Sequence, residues 1–270
     1  MRVDLPFAAN CSLLFTELPL LERPAAARSA GFDAVEFWWP WPQQPVPLDA
    51  DVDAFIGAVR DAGVRLVGLN FYAGDLAGPD AGVLSLPARS AEFRENVPVV
   101  VDIGAALGVP VHNAAYGVRV DGVSPVEQDE LARENLTLAA EALAGNGANV
   151  LVEPLSGPKP YPLRTASDVV AVLDRLDVVN VGLLFDLYHL AANGDDLDRA
   201  IRAYADRIAH VQIADHPGRG EPGSGTLDLD RYLGALAAAG YSGYIAAEYV
   251  PTTTTQQSLG WFGRPEGGRS

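Results

Sequence analysis

One cysteine and one lysine are all that the 270 residues hold of either type, and there are only four histidines. The single thiol, Cys11, has no partner for an intrachain disulfide, which suits a reducing compartment, and no base beside it in sequence to activate it. A Schiff-base aldolase is disfavoured for a similar reason, because the only lysine, Lys159, sits in the proline-rich stretch SGPKPYP. Positive charge is scarce overall: 19 Lys and Arg face 35 Asp and Glu, a formal net charge of −16. Phosphate backbones and anionic lipid surfaces need a clustered positive field, so neither a nucleic-acid nor a membrane partner is expected. No apolar run approaches the roughly 20 residues of a membrane span. The opening MRVDLPFAANCSLLFTELP interrupts its apolar stretches with Asp4, Pro6, Asn10 and Glu17, unlike a secretory signal. A cytoplasmic location is the expectation.

A phosphate-cradling glycine loop is missing too. GNGANV, around Gly145, precedes an apolar run instead of following one, and GEPGSG has no βαβ setting with an acidic residue about 20 positions on. Both read as turns.

What is present is an alternation of short β-branched or apolar runs with longer alanine-rich segments of helical period. Strands are expected at Phe7 to Asn10, Ala34 to Phe37, Leu66 to Leu69, Val109 to Asn113, Asn149 to Glu153, Val181 to Asp186, Ile208 to Ile213 and Gly243 to Glu248. Helices are expected at Leu18 to Ala30, Val52 to Ala62, Ser90 to Leu107, Pro125 to Ala144, Ala166 to Leu176, Leu197 to Tyr204, Leu229 to Ala239 and Thr254 to Phe262. Asp51 and Thr165 stand where N-caps belong, and Gly31, Gly63, Gly108, Gly145 and Gly240 just past helix ends. Eight βα units at this length fit a single (β/α)8 TIM barrel better than an open doubly wound sheet. No linker divides the chain, so one domain over residues 1–270 is expected, with a flexible tail at about 264–270.

Active sites of parallel barrels lie at the C-terminal ends of the strands. In the second half those ends carry Glu153 in NVLVEP, Asp186 in GLLFDLYH, Gln212 in HVQIAD and Glu248 in YIAAEY. Each shares a strand face with the residue two before it, so an inward face brings three carboxylates and one amide oxygen together. Crowded carboxylates raise one another's pKa unless a cation lies among them. Four hard oxygen donors favour Mg²⁺ or Mn²⁺ over a zinc-type site. Asn113, at the end of the fourth strand, is the preferred mouth residue there, while His112 beside it is ambiguous. His189 can lie over the same mouth as a hydrogen-bond donor, and His210, two residues below Gln212, reads as a satisfied barrel histidine.

The segments FAANCSLLFTE, GFDAVEFWWP, AGD at 73–75, FDLYH, HVQIADHPGRGEPGSG and AAEYVPTTTT resemble the hydroxypyruvate isomerase family of xylose isomerase-like barrels, over nearly the whole chain. The resemblance implies a (β/α)8 barrel with one divalent metal held by Glu153, Asp186, Gln212 and Glu248. It also implies catalytic roles for Glu153 and Glu248, and substrate contacts from His189 and Arg219. Gln212 stands where the related ketose epimerases usually have histidine. Ser156, after the Glu-Pro pair, and Val250, in EYVP, depart from common family residues, which leaves the substrate open more than the reaction. The implied function is metal-dependent isomerisation of hydroxypyruvate to tartronate semialdehyde, with 2-oxo-tetronate isomerisation, ketose 3-epimerisation and inosose dehydration as neighbours on the same site. A non-catalytic sugar- or metal-binding barrel is the rival outside catalysis. An apurinic endonuclease of the same superfamily would need a histidine-rich zinc cluster and a basic groove, which this composition lacks. The aromatics of EFWWPWP cover either the barrel or a partner, and a homodimer is a further expectation.

Overall fold

A computed structural model describes residues 4–76 and 78–262, so the tail expected at 264–270 lies outside the described residues. Eight strands pair in parallel and in chain order: β1 (Phe7–Asn10), β2 (Ala34–Phe37), β3 (Arg65–Asn70), β4 (Val111–Asn113), β5 (Asn149–Val152), β6 (Val181–Asp186), β7 (Ile208–Ile213) and β8 (Ile245–Ala247). β8 pairs back onto β1 and closes the barrel. The helices are α1 (Arg23–Ser29), α2 (Asp49–Ala62), α3 (Ser90–Leu107), α4 (Pro125–Ala144), α5 (Ala166–Leu173), α6 (Leu187–Ala192), α7 (Leu197–Tyr204), α8 (Leu229–Ala238) and α9 (Thr255–Ser258). The (β/α)8 expectation is met, and α3, α4 and α7 have the bounds their patterns imply.

Local chemistry explains the joints. Thr165 closes a capping box on α5: its hydroxyl accepts from Asp168 N, and the Asp168 carboxylate accepts from Thr165 N. Gly63 and Gly108 end α2 and α3 with φ of 66°, a conformation that a Cβ disfavours. Two expected punctuation marks fall elsewhere. Asp51 lies in the first turn of α2, whose cap position is Leu48, and there it still complements the helix dipole. Gly145 is helical at the end of α4, and the left-handed turn comes at Gly147. α6 is an addition to the expected set, since six residues are too few to display a helical period.

Alternation along the strands sorts side chains between two environments. Ala9, Val35, Val150, Phe185, Val211 and Ile213 face the helices and join one continuous core with Phe55, Phe93 and Leu136. The inward faces form two small clusters, Ala8 with Ala34, Val67 and Ala246, and Val111 with Leu151 and Leu184. One step further along the same faces, seven of the eight strands supply a buried polar residue: Asn10, Glu36, Asn113, Glu153, Asp186, Gln212 and Glu248.

Two register slips aim this layer, one between Val35 and Glu36 against β3, the other between Leu183 and Leu184 against β7. After them Asp186 lies opposite Gln212, and Glu36 opposite Gly68. The aromatics of EFWWPWP cover the barrel: Trp39 is buried with Nε1 donating to Gln44 O, and Trp41 packs edge-on against Phe55 of α2. Among the described residues no helix is long and apolar enough to cross a membrane.

The second slip rests on Gly182, where a Cβ would come within 2.5 Å of Ala209 Cβ. Gly182→Ala is expected to lower stability by about 1–3 kcal/mol through overpacking. Gly182→Ala combined with Ala209→Gly should recover most of that loss, as read from urea midpoints.

Candidate active site

The polar layer opens into a cavity of about 260 Å³ whose walls include Trp38, Glu153, Ser156, Lys159, His189, Arg219 and Glu248. Glu153 directly follows β5 and Glu248 directly follows β8, while Asp186 ends β6 and Gln212 is the penultimate residue of β7. All four are buried, none more than 6% exposed. The strand-end expectation therefore brings its four residues to one level of the barrel.

Each is held by a specific neighbour. Asn113 Nδ2 donates to Glu153 Oε2 at 2.8 Å, so the asparagine expected at the mouth orients a carboxylate. Glu248 Oε1 accepts from Trp38 Nε1 at 2.9 Å and from Arg219 Nη2 at 2.8 Å. Asp186 Oδ1 caps α6 by accepting from His189 N at 3.0 Å. Gln212 Nε2 donates to Glu36 Oε1 at 2.8 Å. What these bonds leave over is informative: Asp186 Oδ2, Gln212 Oε1 and Glu248 Oε2 are buried and have no hydrogen-bond partner. Buried oxygens without donors are costly, and three of them at one level are the donor set that a hard cation satisfies. The residues therefore fit a hard cation.

Oxygens of Glu153 and Asp186 and a ring nitrogen of His189 also lie within 4.8 Å of one another, which makes these three a possible metal-binding group. The histidine is better placed as a donor. Its Nδ1 accepts from Ser156 N at 3.0 Å, which puts the proton of the neutral ring on Nε2. That Nε2 stands 4.0 Å from Glu153 Oε1 and 3.9 Å from Asp186 Oδ2. Burial, then the charges of Arg219 and Arg164, hold its pKa well below the ordinary histidine value.

Arg219 comes from the loop after β7, and that loop is built around Asp215. The buried Asp215 carboxylate accepts from His216 N, Gly223 N and Leu227 N, and its own N–H donates to Gly220 O. At Gly225 a Cβ would strike His216 O at 2.5 Å and Asp215 Oδ1 at 2.6 Å, so only glycine lets the loop close. Arg219 sits on the inner turn with φ of 60°, its guanidinium over the rings of Tyr188 and Trp38.

The remaining candidates separate cleanly. His112 lies outside the barrel lumen against Phe71 and Gly104 of α3, and burial lowers its pKa to about 4. His210 pairs with Glu36 at 2.7 Å, the satisfied barrel histidine expected from its position. Cys11 is buried and its thiol pKa is pushed up by that burial. Val250 is half exposed and contributes its backbone N–H to Arg219 O. Lys159 reaches the cavity wall, where Nζ donates to Leu76 O at 3.2 Å. The residues that sequence reasoning passed over are Trp38, Glu36 and Asn10. The strand-end rule used for the second half picks out Asn10 and Glu36 when applied to the first, and Trp38 lies just past the end of β2.

Comparison with known proteins agrees with this fold. The family model described as xylose isomerase-like TIM barrel matches residues 24–264. A Streptomyces coelicolor protein named "Putative hydroxypyruvate isomerase" is 52% identical, covering 99% of this chain and 98% of its own. The chain belongs to the hydroxypyruvate isomerase family of xylose isomerase-like TIM barrels. Within the family's reach is also a 2-oxo-tetronate isomerase of Pectobacterium atrosepticum, 32% identical over 94% of this chain and 95% of that protein. A solved structure named AP endonuclease, family 2, from Brucella melitensis superposes with a TM-score of 0.87 at 34% identity, covering 96% of this chain and 98% of that one. The family to which the chain belongs is one of isomerases.

Without a cation the site is electrostatically strained. Burial and the charge of Asp186 raise Glu153 to about 8, burial raises Asp186 to about 6, and burial raises Glu248 well above the usual carboxylate range against the pull of Arg219. The folded chain then holds protons that the unfolded chain releases above about pH 4.5, so these groups destabilise the fold as pH rises through 6 to 8. His189 and His112, depressed by burial, act in the opposite sense and only below about pH 6.5. Chelator-treated protein is therefore expected to lose thermal midpoint between about pH 6.5 and 8. A midpoint that is flat or rising over that window would contradict the buried-carboxylate account.

Proposed function

We propose that this protein isomerises a small 2-oxo acid through an enediolate, with hydroxypyruvate to tartronate semialdehyde as the pair that fits best. The observation that carries this reading is the pair Glu153 and Glu248: two buried carboxylates on one cavity, each with one oxygen tied by a neighbour's N–H. The second oxygen of each is not held by another side chain, so it can ligate the cation with one lone pair and take a substrate proton with the other. Relatives named for hydroxypyruvate and 2-oxo-tetronate isomerisation support the same substrate class.

Moving between these isomers takes a proton from C3 and returns one to C2, while the hydroxyl proton passes from O3 to O2. One glutamate serves as the base and the other as the acid, and burial makes each carboxylate a stronger base than in water. His189 faces the same space with Nε2–H and donates to whichever oxygen gains charge. Arg219 spends one Nη2 bond on Glu248, and its Nε is buried without a partner. It retains donors for a bidentate contact with the substrate carboxylate. Glu153, Asp186, Gln212 and Glu248 would hold a Mg²⁺ or Mn²⁺ ion, which supplies positive charge beside the substrate oxygens as the enediolate forms. The endonuclease name of the Brucella structure does not fit this site, because a chain of net charge −16 offers no basic groove for a phosphate backbone.

The test is deuterium incorporation in D₂O, followed by NMR over hydroxypyruvate, a 2-oxo-tetronate and a ketose. Wild type with Mn²⁺ should label hydroxypyruvate, and Glu153→Gln and Glu248→Gln should each slow turnover by about 10²- to 10⁴-fold. Full activity in Glu248→Gln removes that residue from the chemistry, and no labelling of any substrate favours a non-catalytic binding barrel. Chelation should abolish turnover and Mn²⁺ should restore it; activity that survives chelation rejects the metal assignment.

A further inference from the structure

Glu36 takes no part in the steps above, yet it is the most heavily hydrogen-bonded acid inside the barrel. It lies on β2, 3% exposed. Its Oε1 accepts from Asn10 Nδ2 at 2.7 Å and from Gln212 Nε2 at 2.8 Å, and its Oε2 lies 2.7 Å from His210 Nε2. Three strands, β1, β2 and β7, thus meet on one carboxylate. Space for it is provided by Gly68 across the β2–β3 slip, where a Cβ would approach Glu36 Oε2 to 3.1 Å. Both oxygens being engaged, Glu36 is not itself placed to ligate anything.

Its consequence falls on Gln212. The two ends of a glutamine amide have nearly the same shape and opposite hydrogen-bonding character. A carboxylate on one side accepts only from the NH₂ end, so the oxygen end must point away from Glu36. Gln212 Oε1 is indeed buried without a partner, beside Asp186 on the neighbouring strand. We propose that Glu36 is a positioning residue that locks the Gln212 amide so that its oxygen, and not its NH₂, faces the cation site. With the amide reversed, the site would lose one oxygen ligand and present two N–H dipoles to the ion. This inference rests on the cation reading above.

The experiment measures Mn²⁺ affinity of the full chain by EPR and calorimetry, with no substrate present. Glu36→Leu removes the acceptor that holds Gln212 Nε2, so either end of the amide can turn to the site, and binding should weaken by about 10- to 100-fold, the usual size of an outer-shell effect. Glu36→Gln can keep its amide oxygen on Asn10 and Gln212 and turn its N–H to His210, so it should bind within a few-fold of wild type. In a Gln212→Glu background both ends of residue 212 are oxygen, and adding Glu36→Leu should then change affinity by no more than a few-fold. A purely structural role for Glu36 would weaken binding in both backgrounds. Wild-type affinity in a folded Glu36→Leu, weak binding in Glu36→Gln, or an equal loss in the Gln212→Glu background overturns the proposal. Absence of Mn²⁺ binding in wild type instead removes the cation reading on which it stands.

Discussion

Like-charge repulsion at the mouth of the barrel is the constraint that organises this molecule. Glu153, Asp186 and Glu248 are buried at one level, where the local dielectric is low and charges of one sign interact strongly. Arg219 is the compensating charge that the chain itself supplies, 2.8 Å from Glu248, and it is delivered by a loop with no regular secondary structure. That loop needs its own scaffold. Asp215 provides it through three backbone N–H bonds, and the glycine at 225 lets the chain pass over the carboxylate. The buried ion pair is therefore backed by a second set of charge-assisted bonds below it.

The same constraint explains the neutral groups around the carboxylates. Asn113, Trp38 and the backbone of α6 each donate to one carboxylate oxygen, which fixes the side chains and leaves selected lone pairs turned to the cavity. His189 is held in one tautomer by Ser156 N, so a residue that could have competed as a ligand presents a proton instead. The proposed enolisation needs this division between groups that accept protons and groups that donate hydrogen bonds.

Much of the site was legible because a parallel barrel converts strand ends into a ring. Glu153, Asp186, Gln212 and Glu248 could be chosen from the strand-end rule and period-two alternation, His189 from its place three residues after Asp186, and Arg219 from the resemblance in HVQIADHPGRGEPGSG. Asn113 was readable as a position near the mouth, though its bond to Glu153 was not. Trp38 was hidden in an aromatic run whose members do different work: Trp39 and Trp41 pack on the barrel wall, while Trp38 reaches across to Glu248. Lys159 looked like a loop residue because prolines surround it, and its stem still brings Nζ to the cavity wall.

The amino-acid sequence by itself determined the class of fold, the order of the strands, the ends of the two longest helices, α3 and α4, and the oxygen-rich character of the candidate site. These follow from periodicity and from residue type, which are local properties of the chain. Only the tertiary structure decided which oxygen of each carboxylate is spoken for, which nitrogen of His189 carries the proton, and which way Gln212 points. Apart from Asp186, which is held by His189 N three residues on, those choices depend on partners 26 to 210 residues away in sequence, brought within hydrogen-bond distance by barrel closure and two register slips.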